Sequence, residues 1–275
     1  MRLTPLRFAA LALVAAIAGT AAGAHAGDTV HVLVLKENGI GSSAQAQPHV
    51  DQFMDLAAER NGWSAASGKY VTSRKKAEKY IADKDPHYGI LSLGAFLAMR
   101  KAHSMSVVGL AEVSIAGGRR YHIISKNEGD LSGCKGKTLA SNHAKDGRFI
   151  DKVVAGGDFA LADFDLKKTR RPVQTIKAVA RDKAVCALID DAQMAALPKV
   201  NGAEGIKSVW KSKQLPPLPV VAFPSASASE RAAFQDKLSL LCKGKGRRAC
   251  KKVGLSKIEA TSESTYAGVI GAYGG

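Results

Sequence analysis

The chain has 275 residues with 40 lysines and arginines against 24 aspartates and glutamates, a formal net charge of +16. That length is ample for one large core or two smaller lobes, and the charge favours anionic partners, or simply a solvated basic surface. Aromatic residues make up 6% of the chain and nowhere interleave with lysine and arginine, which argues against a stacking surface for single-stranded nucleic acid.

In chain order, residues 1–26 read as a cleavable secretory signal peptide. Arg2 and Arg7 give a positive start, 8–22 an apolar run of signal length, and Ala24-His25-Ala26 a small-x-small cleavage pattern. No cysteine near the cut suggests a lipid anchor, and no later segment approaches membrane-spanning length. The mature chain, 27–275, is thus expected to be a soluble protein outside the cytoplasm, 249 residues long with a net charge of +14.

Strand-like and helix-like segments then alternate. The apolar run 30–35 reads as a strand buried on both faces, and 48–60 as a helix with Val50, Phe53, Met54 and Ala57 on one side. A strand over 88–92, a helix over 95–103 and a strand over 107–113 follow. After a polar, Gly-containing joint at 115–120 the alternation restarts. Strands are predicted over 137–141 and 184–189, and helices over 148–154, 173–181 and 192–197. Ser227 and Glu230 form a capping box that opens a helix carrying Phe234, Leu238 and Leu241. The pattern predicts two α/β lobes, each a mostly parallel sheet flanked by helices.

Several motifs invite chemistry and most fail on context. Gly39, Gly41 and Ala44 match a dinucleotide fingerprint between strand and helix, yet no strand ending in an acid follows at the required distance. Gly136-Lys137-Thr138 resembles the end of a P-loop but lacks its first glycine and enters a strand. Ser92 sits one residue short of a nucleophile elbow, with no base identified. No metal-ligand spacing occurs among the seven histidines and four cysteines, so neither metal nor cofactor is expected. What remains is a set of polar turns at strand ends before helix starts: Ser42 and Ser43, Ser92, Ser141-Asn142-His143, and Asp190-Asp191. Open α/β sheets bind ligands at such ends. Cys134, Cys186, Cys242 and Cys250 suggest two disulfides, with three pairings open.

The order of elements resembles the phosphonate-binding proteins of ABC importers, which have the type II periplasmic binding protein fold. The resemblance rests on Ser208-Val-Trp-Lys-Ser at 208–212 with the Pro-containing crossover and apolar strand after it. It also rests on Asp130-Leu-Ser-Gly at 130–133, the helix-to-strand segment 178–187, and Tyr121 at the start of a hinge strand. It implies lobe one over 27–118, lobe two over 119–215, and a return to lobe one over 216–275. It also implies a small polar ligand in the interlobe cleft, phosphonate- or phosphate-like, held by Ser42, Ser43, Ser92, Ser141, Asn142, Asp190 and, less directly, His143. The expected partner is the importer's membrane permease, the expected compartment the periplasm, and the expected state a monomer that binds no nucleic acid and catalyses nothing. The family's strand order implies Cys134–Cys186, and Cys242 and Cys250 flank a helix-to-helix turn that brings them together. The family's Ser-Thr-Ser-Gly anion turn is departed from: 141–144 is Ser-Asn-His-Ala. The alternatives are an exported sensor or accessory protein of the same fold, and an exported hydrolase using Ser92 or the Asp190-Asp191 pair. The basic run 243–252 is expected to lie away from the ligand.

Overall fold

The computed structural model describes residues 29–38, 42–114 and 117–274. The signal peptide, Gly39 and Gly41 of the fingerprint, and part of the joint, 115–116, lie outside the described residues. The chain first runs through β1 (Val30–Leu35), α1 (Ser43–Asn61), β2 (Ala66–Val71), α2 (Arg74–Lys84), β3 (Tyr88–Leu91), α3 (Leu93–Met99) and β4 (Ser106–Val113). It then builds β5 (Tyr121–Ser125), β6 (Thr138–Ser141) and α4 (Gly147–Phe149), which continues as a π-helical turn (Ile150–Val154). After these come β7 (Asp165–Lys168), α5 (Pro172–Ala180), β8 (Cys186–Asp190), α6 (Asp191–Ala196) and β9 (Lys207–Lys211). It closes with β10 (Leu218–Ala222), α7 (Ala228–Leu241), α8 (Gly246–Lys252), β11 (Leu255–Ala260) and α9 (Ala267–Tyr273).

Two sheets result. One is six-stranded in the order β11-β4-β10-β3-β1-β2, the other five-stranded in the order β7-β6-β8-β5-β9. The α/β, two-sheet class is as expected, but both sheets are mixed. Pairs β1–β2 and β1–β3, and β6–β7 and β6–β8, are parallel. The strands beside the crossings, β4 and β10 in one sheet and β5 and β9 in the other, pair antiparallel. A strand that carries the chain into the other sheet has no returning helix, so the right-handed crossover that enforces parallel pairing is missing there.

Local chemistry sets the element ends. The helix predicted over 48–60 begins at Ser43, because Ser42 and Gln45 close a reciprocal capping box. The segments β2 and α2 escaped the sequence reading: β2 is short and only half apolar, and α2 is mostly polar with a single buried residue, Ala77. The strand β3 is buried throughout and β1 at Val32, Leu33 and Leu35, with Val30, His31 and Val34 half-buried, and a continuous apolar cluster runs from Leu33, Leu35 and Phe96 to Tyr121, Phe149 and Ile150, tying the two sheets together. Both disulfides are formed, Cys134–Cys186 with Cα atoms 6.0 Å apart and Cys242–Cys250 at 5.6 Å. The first staples the turn before β6 to the neighbouring strand β8 and the second joins the end of α7 to α8.

The two crossing segments lie side by side. Leu215 N–H donates to the Arg119 carbonyl at 2.7 Å, Ser212 N–H to Tyr121, and Tyr121 N–H to Ser212 Oγ. Gly118, at φ +82°, turns the first segment in a conformation that glycine adopts without strain, and its N–H donates to Asp191 Oδ1 at 2.6 Å. A third contact between the halves comes from the C-terminus, where α9 packs on the Ile150–Val154 turn.

Candidate functional site

A cavity of about 320 Å³ lies between the sheets and takes its lining from both. Lys36, Glu37 and Asn38 follow β1, Ser92 to Gly94 follow β3, and Arg74 opens α2. From the other side come Tyr121 of β5, His143 after β6, Asp146 and Phe149 around α4, and Asp190 ending β8. Strand register assembles this set. Ser92 N–H donates to the Leu35 carbonyl, which sets Ser92 beside Lys36. Tyr121 pairs directly with Asp190 across β5 and β8, and β6 runs parallel to β8, so His143 and Asp190 emerge at adjacent strand ends.

Of the residues read from sequence, Ser92, His143 and Asp190 line this cavity. Ser141 and Asn142 are buried just behind it. Ser141 Oγ donates to the Leu188 carbonyl and accepts from His143 N–H at 3.0 Å. Asn142 Oδ1 accepts from Thr175 Oγ1 and Gln193 Nε2, while its Nδ2 is enclosed without a partner. Ser42 is exposed and caps α1, and neither it nor Ser43 is part of the lining. The helix starts differ in what they leave open to a ligand. The Ser42 box closes the start of α1, Asp146 accepts from Phe149 N–H at the start of α4, and Asp190 and Gln193 close a box on α6. At these three starts side chains already satisfy donors that a ligand would have used, whereas α3, which opens at Ser92 on the cavity, has no side-chain cap.

The imidazole orientation follows from the network. Gln193 Nε2 donates to Asn142 Oδ1 and to the Pro172 carbonyl, both at 3.1 Å, so its Oε1 is the atom that meets His143 Nε2 at 2.7 Å and Asp190 N–H at 3.2 Å. An amide oxygen only accepts, so Nε2 carries the imidazole proton and Nδ1 is left for other partners. Asp190 Oδ2 stands 3.8 Å from Nε2.

Sequence reasoning missed the charges. Arg74 is bound by Glu37 at 2.8 Å from its own half and by Asp146 at 2.7 Å from the other. Lys36, by contrast, makes no ion pair among the described residues. Burial holds its ammonium below the ordinary lysine range, opposed in part by Asp190 and Asp191. Burial raises the Asp190 carboxyl, while His143 and the Gln193 amide draw it back. The Tyr121 phenol is pushed well up, first by burial and then by the surrounding carboxylates, so it stays a neutral hydrogen-bond donor. Lys36 was findable, since it follows a predicted strand directly. Arg74 was not, because its strand and helix were unread.

With this geometry in view, the fold identifies a class. It is shared with the binding protein component of an ABC phosphonate transporter from Pseudomonas aeruginosa (14% identity, TM-score 0.65, covering 89% of this chain and 86% of that one). PhnD1 of Prochlorococcus marinus, solved with methylphosphonate, covers 89% and 96% at 9% identity and TM-score 0.67. The aliphatic sulphonate binding protein SsuA of Escherichia coli covers 89% and 77% at 12% identity and TM-score 0.58. Among curated proteins no sequence match was found. The family model for the phosphonate periplasmic substrate-binding protein of ABC transporters matches residues 87–266, and the chain belongs to that family. It is a periplasmic substrate-binding component of an ABC transporter.

Proposed function

We propose that the cavity captures a small organic oxyanion of the phosphonate or sulfonate class and that the protein, as a monomer, presents it to a membrane permease. The observation that carries this reading is Lys36: a cation in a cavity walled by both sheets, without an ion pair among the described residues, in a lining that also holds the neutral donor Tyr121. An oxyanion there would gain charge-assisted hydrogen bonds. Asp190 and His143 on the opposite wall suit an amine or hydroxyl carried by the same ligand. The matched family and the bound methylphosphonate of PhnD1 support the class. Binding rather than hydrolysis is supported by Ser92, whose Oγ accepts from Glu37 N–H at 3.4 Å while the nearby imidazole is engaged by Gln193. The crossing segments support opening and closing as a hinge between lobe one and lobe two, and the apolar stretch of 8–22 supports export by a cleaved signal peptide.

Calorimetry and thermal shift against alkylphosphonates, alkylsulfonates, aminoalkylphosphonates, phosphate and amino acids test it, since a tight ligand raises stability by mass action. The expected result is an oxyanion ligand whose affinity falls roughly 10–100-fold in Lys36→Ala, the worth of a hydrogen bond to a charged group. Unchanged affinity in both Lys36→Ala and the double variant Ser141→Ala with Asp190→Ala would place the ligand elsewhere.

A further inference from the structure

A second cavity, of about 240 Å³, adjoins the first and shares Lys36, Leu218 and Gly254 with it. It lies on the α1 side of the six-stranded sheet. Its walls are mostly apolar, with Val34, Ile90 and Val113 from the sheet, Val50 and Phe53 from α1, and Leu255 from β11, while His49 of α1 and Tyr70 of β2 add polar atoms. The gap has a local cause. The part of α1 over it carries the small Ala46, and α8 ends at Lys252, where Gly254 at φ +78° turns the chain into β11. A β-carbon at Gly254 would meet nothing within 4 Å, and this glycine lines both cavities. The basic run 243–252, expected to lie away from the ligand, reaches this cavity with Lys252, whose ammonium is held by Gln52 at 3.0 Å.

Lys36 therefore stands where the two cavities meet, with the charged side chains of Glu37, Arg74 and Asp190 in the lining of the first and mostly apolar side chains in the second. A lysine lays its methylene stem along apolar surface and keeps its ammonium on the polar side. An anionic head paired with that ammonium has its attached carbon chain at the mouth of the second cavity. We propose that the substrate is an amphiphilic oxyanion whose head sits by Lys36 and whose alkyl or aryl substituent, of about three to six carbons, fills the second cavity. The volume would hold roughly eight groups of water size at about 30 Å³ each, more than such a tail requires. The inference rests on the proposed function, because it assumes a head bound at Lys36.

The test separates the two. Calorimetry on the full mature chain compares methyl-, butyl-, hexyl- and phenylphosphonate and the matching sulfonates. Burial of a methylene is worth about fourfold in affinity. The expected result is that butyl binds at least tenfold tighter than methyl, with a more negative heat-capacity change, the marker of apolar burial. In Ala46→Phe, which fills the second cavity, that gain should be lost while methyl affinity stays within threefold. Ala46→Ser should keep the gain. Affinity that is flat or falls with tail length in the wild type would overturn the proposal, leave the head site standing and mean that the second cavity holds solvent only. That readout does not depend on whether Ala46→Phe folds. No binding by any head and tail would overturn both readings.

Discussion

At the scale of single residues, the cavity sets a desolvated cation, Lys36, in the field of a desolvated carboxylate, Asp190. Each charge is disfavoured by burial, and a ligand with an anionic head and a polar donor group would relieve both. Asp190 makes a pH signature. Its folded value is raised above the ordinary 3.8, so the native state holds the proton more tightly than the unfolded chain. Stability from this group is therefore full below 3.8 and is lost as pH rises through the raised folded value. Asp190→Asn keeps a competent N-cap for α6 and removes the buried charge. The expected outcome is a melting temperature at pH 7 equal to or above wild type, and a difference that shrinks as pH falls through that window. Thermal melts of both proteins between pH 4 and 7 check it; a variant less stable than wild type at pH 7 and equal at pH 4 would show that the charge itself stabilises the fold.

At the scale of elements, the two disulfides constrain different things. Cys134–Cys186 closes a separation of 52 residues and ties β6 to β8, the strands that deliver His143 and Asp190. Cys242–Cys250 closes a separation of 8 and fixes α8 against the end of α7. Loop-closure entropy predicts a loss of about 4 kcal/mol for the first and about 2.5 kcal/mol for the second. Chemical denaturation of the paired Cys→Ala variants should rank them in that order. The first pair should also weaken ligand binding, because the turn after β6 would lose its anchor, whereas the second should leave it near wild type.

At the scale of the molecule, Arg74 is the charge that closes one half on the other. It satisfies Glu37 on its own side and Asp146 across the cavity, and Asp146 also accepts from Tyr273 Oη at 3.4 Å, bringing in the C-terminal helix. The guanidinium of Arg148 stacks over the Tyr273 ring at 4.8 Å. Apolar packing accompanies this contact: a β-carbon on Gly94 would meet the Phe149 ring at 3.3 Å, so this glycine admits close approach of the halves. Arg74→Met leaves two carboxylates from opposite halves facing each other without a cation. Solution scattering should then show a larger radius of gyration without ligand, shrinking at high ionic strength as the repulsion is screened. A radius unchanged from wild type at both low and high ionic strength would assign closure to the apolar contacts alone.

How much was legible follows from the range over which each signal acts. The strands β1, β3 and β8 and the helix α7 declared themselves because burial on one or both faces writes a periodicity into adjacent residues. The α/β class, the polar strand ends Ser92, His143 and Asp190, and the even cysteine count were readable for the same local reason. The segments β2, α2 and α9 were not, because their apolar content is low or their partners are distant in sequence. Ser42 shows the limit of the local rule: a capping residue at a strand end reads like a ligand residue until its own helix is seen to occupy it. Ser141 and Asn142 show the next limit, since only three-dimensional packing decides whether a polar group at a strand end turns toward a cavity or into the network behind it. The meeting of Arg74 with Asp146, 72 residues apart, and the opening of a second chamber at Lys36 depend on how two sheets, two crossings and a C-terminal helix pack together. No stretch of adjacent residues encodes that geometry, because it arises from surfaces that come together only once each half has folded.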